Sequence, residues 1–165
     1  MPNYCDNRVT VAGDEEIMAE FYALVQSDTS MFAFENVLPE PAFFDLMQSG
    51  KMDFAVDGEI QTHSHWIEEA GPDGNTVARP LSKAELAHFK GLARLDPDCW
   101  REAHWGTKWG PIDLFEDTDE EMASYSFTTA WSPPQGIIEA LREKFPDLDF
   151  VAFFDCEEDQ EAGYY

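Results

Sequence analysis

Positive charge is what this sequence has least of: 10 Lys and Arg stand against 34 Asp and Glu in 165 residues, for a formal charge of -24 and a pI near 4.1. Such a surface repels phosphates and anionic lipid and attracts basic proteins and cations, so neither direct nucleic-acid binding nor membrane binding is expected. Long apolar runs are missing as well, none approaching the roughly 18 residues of a membrane span. The opening Met1-Pro2-Asn3-Tyr4 has neither the basic nor the apolar region of a signal peptide, and the expectation is a cytoplasmic protein. Cysteine is scarce and odd in number. Cys5, Cys99 and Cys156 lie far apart with no CxxC pair, which predicts reduced thiols and no zinc ribbon. No GxSxG elbow, Walker loop, Rossmann glycine fingerprint or HExxH is present, so no enzyme activity and no cofactor is expected.

What is there is apolar and aromatic material, 44% and 14% of the chain with 13 Phe, enough to bury the core of one ordinary domain. Asn7 to Gly13 alternates and is β-branched, as a short strand should be. Asp14 then offers an N-cap, Glu15 and Glu16 suit the first turn, and Ile17, Met18, Phe21, Leu24 and Val25 repeat at helical spacing to about Gln26. Near the other end, Ser132-Pro133-Pro134-Gln135 reads as a capped helix start, followed by the apolar face Ile137, Ile138, Leu141 and Phe145 and a stop at Pro146. Before that helix Tyr125, Phe127, Thr129 and Trp131 fall on one strand face; after it Leu148, Phe150, Ala152 and Phe154 do the same. Trp109 to Phe115 makes a further strand, joined to the Tyr125 strand by the acidic turn Glu116 to Glu121.

The resulting order is β-α-β-β-α-β. It predicts a single α+β domain over 1–165 with ferredoxin-like topology: an antiparallel four-stranded sheet, both helices on one face, and a helical insertion at about 31–103. Within the insertion, Phe32 to Pro41 reads as a short strand or extended arm. Ser82 to about Leu95 reads as a helix opened by a Ser82/Glu85 capping box, and Gly58 to Pro80 reads as flexible chain.

Met1-Pro2-Asn3-Tyr4-Cys5 before Asn7-Arg8-Val9-Thr10-Val11, Val37-Leu38-Pro39-Glu40-Pro41, Trp105-Gly106-Thr107-Lys108-Trp109 with Asp113, and Phe127-Thr128-Thr129-Ala130-Trp131-Ser132-Pro133-Pro134 occur in one order along the chain. On these segments the sequence resembles the YubB ferredoxin-like domain family of phage and plasmid proteins, whose function is uncharacterised. The resemblance implies a ferredoxin-like fold and a mobile-element origin, and implies no catalysis.

Several residues have the makings of chemistry. His63 and His65 share one side of an extended segment with Glu68 and Glu69 nearby, two imidazoles without an identified third ligand, so no metal is expected there. Cys99, Trp100 and His104 read as a buried thiol beside a packed indole rather than an activated nucleophile. Trp105 and Trp109 flank Gly106, Thr107 and Lys108; with Trp131, Ser132 and Pro133 they read as structural, the Lys108 stem covering the rings. The aromatic strand Tyr125, Phe127, Trp131 has the look of a base-stacking sheet, yet lacks the basic rim such sheets carry, and reads as core.

Acidity is uneven: residues 1–40 hold 8 acids and 1 base, 41–110 hold 11 and 7, and 111–165 hold 15 and 2. Asp117, Asp119, Glu120, Glu121, Glu157, Glu158, Asp159 and Glu161 are therefore expected to form one continuous binding surface. The functional expectation is a non-enzymatic accessory protein that binds a basic host or mobile-element protein, in the manner of a nucleic-acid mimic or anti-defence inhibitor. An enzyme or metal-binding protein using His63 and His65, or the Trp105 to Trp109 cluster, is the alternative.

Overall fold

Burial alternates along β1 (Tyr4–Ala12): Cys5, Asn7, Val9 and Val11 are covered while Tyr4, Asp6 and Arg8 face solvent, as a strand with one packed face must. The computed structural model describes residues 3–41, 44, 66–70, 75–80, 82–84 and 97–165, which divide into two compact units.

The first unit, residues 1–39 and 98–165, holds β1, helix α1 (Glu15–Val25), the short helix α2 (Phe34–Val37), most of helix α3 (Pro97–His104), the hairpin β4 (Ile112–Thr118) and β5 (Met122–Ala130), helix α4 (Gln135–Lys144), and strands β6 (Asp149–Cys156) and β7 (Glu161–Tyr164). Its sheet runs β4-β5-β1-β6-β7, with every pair antiparallel. The first strand is central, and the first and last strands of the β-α-β-β-α-β frame pair directly, Val9 with Ala152 and Val11 with Phe150. The fold is ferredoxin-like α+β. It carries one strand more than the sequence predicts: after Cys156 the chain turns through Glu157 to Gln160, the last with φ 56, and returns as β7. The acids in that turn dominate the local composition and hide the short strand that follows.

Both long helices pack on one face of the sheet. Met18, Phe21 and Val25 from α1 and Ile137, Ile138 and Leu141 from α4 join Val9, Val11, Tyr125 and Ala152 in one core. Phe32 stacks on Tyr125 at 4.9 Å, and Phe21 meets Phe145 and Phe150 edge-on. The Asp14 carboxylate accepts the Glu16 N–H, capping α1 as its sequence predicts. The second cap differs. Helix α4 begins at Gln135 with Pro134 at its N-cap and no side-chain cap; Ser132 lies two residues before that cap, and its hydroxyl donates to the Gly106 carbonyl instead. Phe32 to Pro41, expected to be extended, contains the α2 turn, where Phe34 is buried edge-on against Trp105.

The second unit spans Glu40–Pro97. Its described strands β2 (Trp66–Ala70) and β3 (Thr76–Pro80) pair antiparallel, Trp66 opposite Pro80, where composition predicts flexible chain. Ser82 precedes Lys83 and Ala84, which are helical; the remainder of the segment to Leu95, expected to be a helix, lies outside the described residues, as do His63 and His65.

One expectation fails outright. Cys5 and Cys156 form a disulfide, 151 residues apart in sequence. Nothing local in the sequence signals it, since only the docking of β6 beside β1 brings the two together. Cys99 is free and exposed rather than buried.

Candidate functional site

The helices leave the other face of the sheet uncovered, and the side chains there follow from strand parity. Pairing registers place Phe115, Ser126, Arg8, Phe153 and Tyr164 in one row across all five strands. A second row sets Thr128, Asp6 and Asp155 side by side, with the Thr128 hydroxyl donating to Asp6 at 3.1 Å. A groove of about 520 Å³ runs over these rows, lined by Asp6, Arg8, Asp113, Phe115, Ser126, Thr128, Phe153 and Asp155 among others. Ser126 and Thr128 make a low floor over β5, while Phe115 rises on one side and Arg8 and Phe153 on the other.

A bulge aims the Phe115 wall. Between the pairs Ile112–Thr128 and Phe115–Ser126 the edge strand β4 carries one extra residue, and Asp113 takes the left-handed φ of 51. The extra residue lets Leu114 pack on the core while Phe115 stands beside Ser126, 73% exposed. Of the large apolar side chains that are exposed, Tyr4, Phe115, Val151 and Tyr164 all lie on this face, Tyr164 edge-on to Phe153 at 5.3 Å. Exposed aromatics gathered on one face mark an interaction surface.

The groove is also acidic. Asp6, Asp113 and Asp155 surround a single cation, Arg8, which has no carboxylate within 4.0 Å among the described residues. The arrangement offers aromatic faces and carboxylates to a cationic side chain with an apolar stem, and a guanidinium to a carbonyl or carboxylate beside it. A sugar-phosphate chain would meet three negative charges for one positive.

The residues singled out in the sequence fall elsewhere. Asp117, Asp119, Glu120 and Glu121 lie at the end of the sheet where Gly13 N–H bonds the Glu121 carbonyl. Glu157, Glu158, Asp159 and Glu161 lie at the opposite end, beside the disulfide. At roughly 3.3 Å per residue from Cys5 to Ala12 the two groups are about 23 Å apart along β1. They are not one continuous surface. Asp119 is engaged in its own turn, its carboxylate accepting the Glu121 and Met122 N–H groups at 2.9 and 2.7 Å.

Trp105, Gly106 and Thr107 knot the chain. Trp105 is buried and donates to the Leu38 carbonyl; Thr107 is buried and donates to Ala130. Gly106 takes φ 91 where a Cβ would lie 2.8 Å from the Pro133 carbonyl. The cation over Trp105 is Arg101, 5.6 Å from the ring centroid, rather than Lys108, whose ammonium lies 3.8 Å from Asp98. Trp109 keeps a buried indole N–H without a partner among the described residues. Trp131, expected in the core with Tyr125 and Phe127, is 46% exposed at φ 71, because the chain leaves the strand at Ala130 to enter the Ser132-Pro133-Pro134 turn. His104 stacks on Trp100 and hydrogen-bonds its carbonyl. Glu68 and Glu69 sit in β2. Among the described residues no group of three or more His, Cys, Asp or Glu is placed to hold a metal ion, and no helix is long and apolar enough to cross a membrane.

Sequence reasoning missed the groove because it followed the packed face of each strand. The alternation that selects Phe150, Ala152 and Phe154 selects Val151, Phe153 and Asp155 for the other side, and that second set held the signal.

Comparison with known proteins agrees with the fold. Residues 104–164 match the family model described as the ferredoxin-like domain in Api92-like protein. The crystal structure of protein Api92 from Yersinia pseudotuberculosis superposes with a TM-score of 0.52, covering 99% of this chain and 93% of that one at 10% identity, a likeness of fold alone. The similarity is thus to a ferredoxin-like family, that of the Api92-like proteins, and does not single out YubB. The xylanolytic transcriptional activators xlnR of Aspergillus fumigatus and Aspergillus niger are 30% identical over 105 and 108 residues, 61% of this chain in each case. The chain spans about a tenth of the length of these curated relatives, 11% of each.

Proposed function

We propose that this chain is a non-enzymatic binding protein that receives a basic protein segment on the open face of its sheet. The observation that carries the reading is the row Phe115, Ser126, Arg8, Phe153, Tyr164 with Asp6, Asp113 and Asp155 around it. An extended segment laid along the β5 trough would place lysine or arginine stems against Phe115 and Phe153 and their charges near the carboxylates. Arg8 would hold a backbone carbonyl. The acids at the two ends of the sheet act at longer range, drawing a basic partner in and weakening with salt over a Debye length of about 8 Å. The basic surface of a nucleic-acid-binding protein of a host or a mobile element is the partner class this charge suits, and the chain would act there as a decoy.

The test is a titration with a labelled peptide of alternating lysine and leucine. Saturable binding is expected, lost in Phe115→Ala and in Asp6→Asn/Asp155→Asn. The charge-matched control Glu120→Gln/Glu121→Gln, away from the groove, should keep most of it. Equal weakening by both pairs would mean diffuse acidity and no groove.

A further inference from the structure

Where the chain carries its densest like charge on the open face, it also carries its one crosslink. Asp6 and Asp155 are direct cross-strand partners, the last pair of the β1–β6 ladder, and like charges so placed push the strands apart. The residues next to them, Cys5 and Cys156, point to the other face, where they are 0% and 4% exposed and covalently joined. Just beyond, the turn adds Glu157, Glu158 and Asp159, and Glu161 opens β7 opposite Cys156. Among the described strands β7 pairs only with β6, so this hairpin, with the Phe153 and Tyr164 rings it holds on the groove, joins the sheet through the β1–β6 ladder and, past its end, through Tyr165, whose hydroxyl donates to Asn7 at 3.1 Å and whose carbonyl accepts from Arg142 at 2.8 Å.

We propose that the Cys5–Cys156 disulfide is a redox latch on the open-face groove. Oxidised, it holds the β6–β7 hairpin to β1 against the repulsion of the acids around it. Reduction by a dithiol breaks the S–S bond, yields two thiols with two electrons and two protons taken from the reductant, and closes the dithiol into its own disulfide. The free end of the ladder then opens, Asp6 and Asp155 part, and the Phe153 and Tyr164 wall leaves the groove. The inference rests on the proposed binding face, whose regulation it names.

The experiment is amide hydrogen exchange on the full chain carrying Cys99→Ser, which removes the exposed thiol, compared as air-oxidised protein, after dithiothreitol, and after dithiothreitol with Asp155→Asn. Reduction should speed exchange of Phe153 to Cys156 and Glu161 to Tyr164 by roughly tenfold or more beyond the uniform acceleration that the lower global stability gives Val9, Val11 and α1. Asp155→Asn should restore most of the lost protection. Unchanged exchange on reduction, a loss spread evenly over the sheet, no restoration by Asp155→Asn, or free Cys5 and Cys156 thiols in the oxidised protein would each overturn the latch. The lysine-leucine peptide should bind the oxidised form several-fold more tightly; equal affinity would also overturn it. If the peptide binds neither form, the failure lies with the proposed binding face, and exchange alone decides the latch.

Discussion

Trp105 and Trp131 belong to the same two motifs but do different physical jobs. Trp105 is 4% exposed, its indole N–H satisfied by Leu38, so Trp105→Ala should cost about 3–5 kcal/mol in chemical denaturation. Trp131 is 46% exposed with φ 71, a backbone shape that costs a bulky side chain roughly 1 kcal/mol or more. Trp131→Gly should therefore leave stability within about 1 kcal/mol of the parent; a loss as large as that of Trp105→Ala would show that the ring is a core element after all. Three tyrosines set a second expectation. Burial raises the phenols of Tyr22, Tyr125 and Tyr165 above their ordinary range, with Asp119 and Glu116 adding to it for Tyr22, Tyr22 and Glu116 adding for Tyr125, and Arg142 opposing it for Tyr165. Because the folded values exceed the unfolded value of about 10, the stabilisation is complete below pH 10 and is lost as pH climbs through the raised values. Tyrosine absorbance at 295 nm should show late ionisation that coincides with loss of far-ultraviolet circular dichroism. Complete ionisation with the fold intact would contradict it.

Elements meet in this protein through close backbone approaches as much as through side chains. The turn after α3 lies against the start of α4: a Cβ on Gly106 would meet Pro133 and Gln135 at 2.8 and 2.9 Å, and one on Gly136 would overlap the His104 carbonyl. Gly106→Ala should cost about 1–3 kcal/mol from its φ of 91 and this contact, read as a lower denaturation midpoint at unchanged slope. An unchanged midpoint would mean that the turn can move away. The same approach explains why the α4 cap was legible in residue type but not in role. Ser132 precedes Pro133 and Gln135 as a capping serine would, and only the three-dimensional neighbour Gly106 diverts its hydroxyl. Strands and helices with strong periodicity, such as β1, α1, β5 and α4, are readable because alternation and 3.6-residue spacing are local. β7, the β4 bulge and the α2 turn are not: β7 is four residues long and follows an acidic turn, the bulge shows only in the register against β5, and the α2 turn rests on Trp105 far along the chain.

At the scale of the whole molecule, a disulfide closing a loop of this span, with Cys5 and Cys156 separated by 151 positions in sequence, removes much of the freedom of the unfolded chain. The chain-entropy relation gives about 5 kcal/mol, an upper figure that native-state accommodation reduces. Reduction should lower Tm by roughly 10 °C, and by less than about 2 °C if the crosslink contributes nothing. The crosslink also shows why the site could not be read from composition. An excess of acids locates charge in sequence; only the sheet order decides that Asp6, Asp113 and Asp155 line one groove with Arg8 while the richer acidic turns separate to opposite ends.

The central claim is that the uncovered face of this sheet is where a partner binds, and mapping the lysine-leucine peptide onto the protein by amide chemical-shift perturbation tests it most directly. The account predicts shifts concentrated on Arg8, Phe115, Ser126, Thr128, Phe153 and Tyr164. Shifts confined to the turns at Asp119 to Glu121 and Glu157 to Gln160, or spread without pattern over all acidic residues, would contradict it.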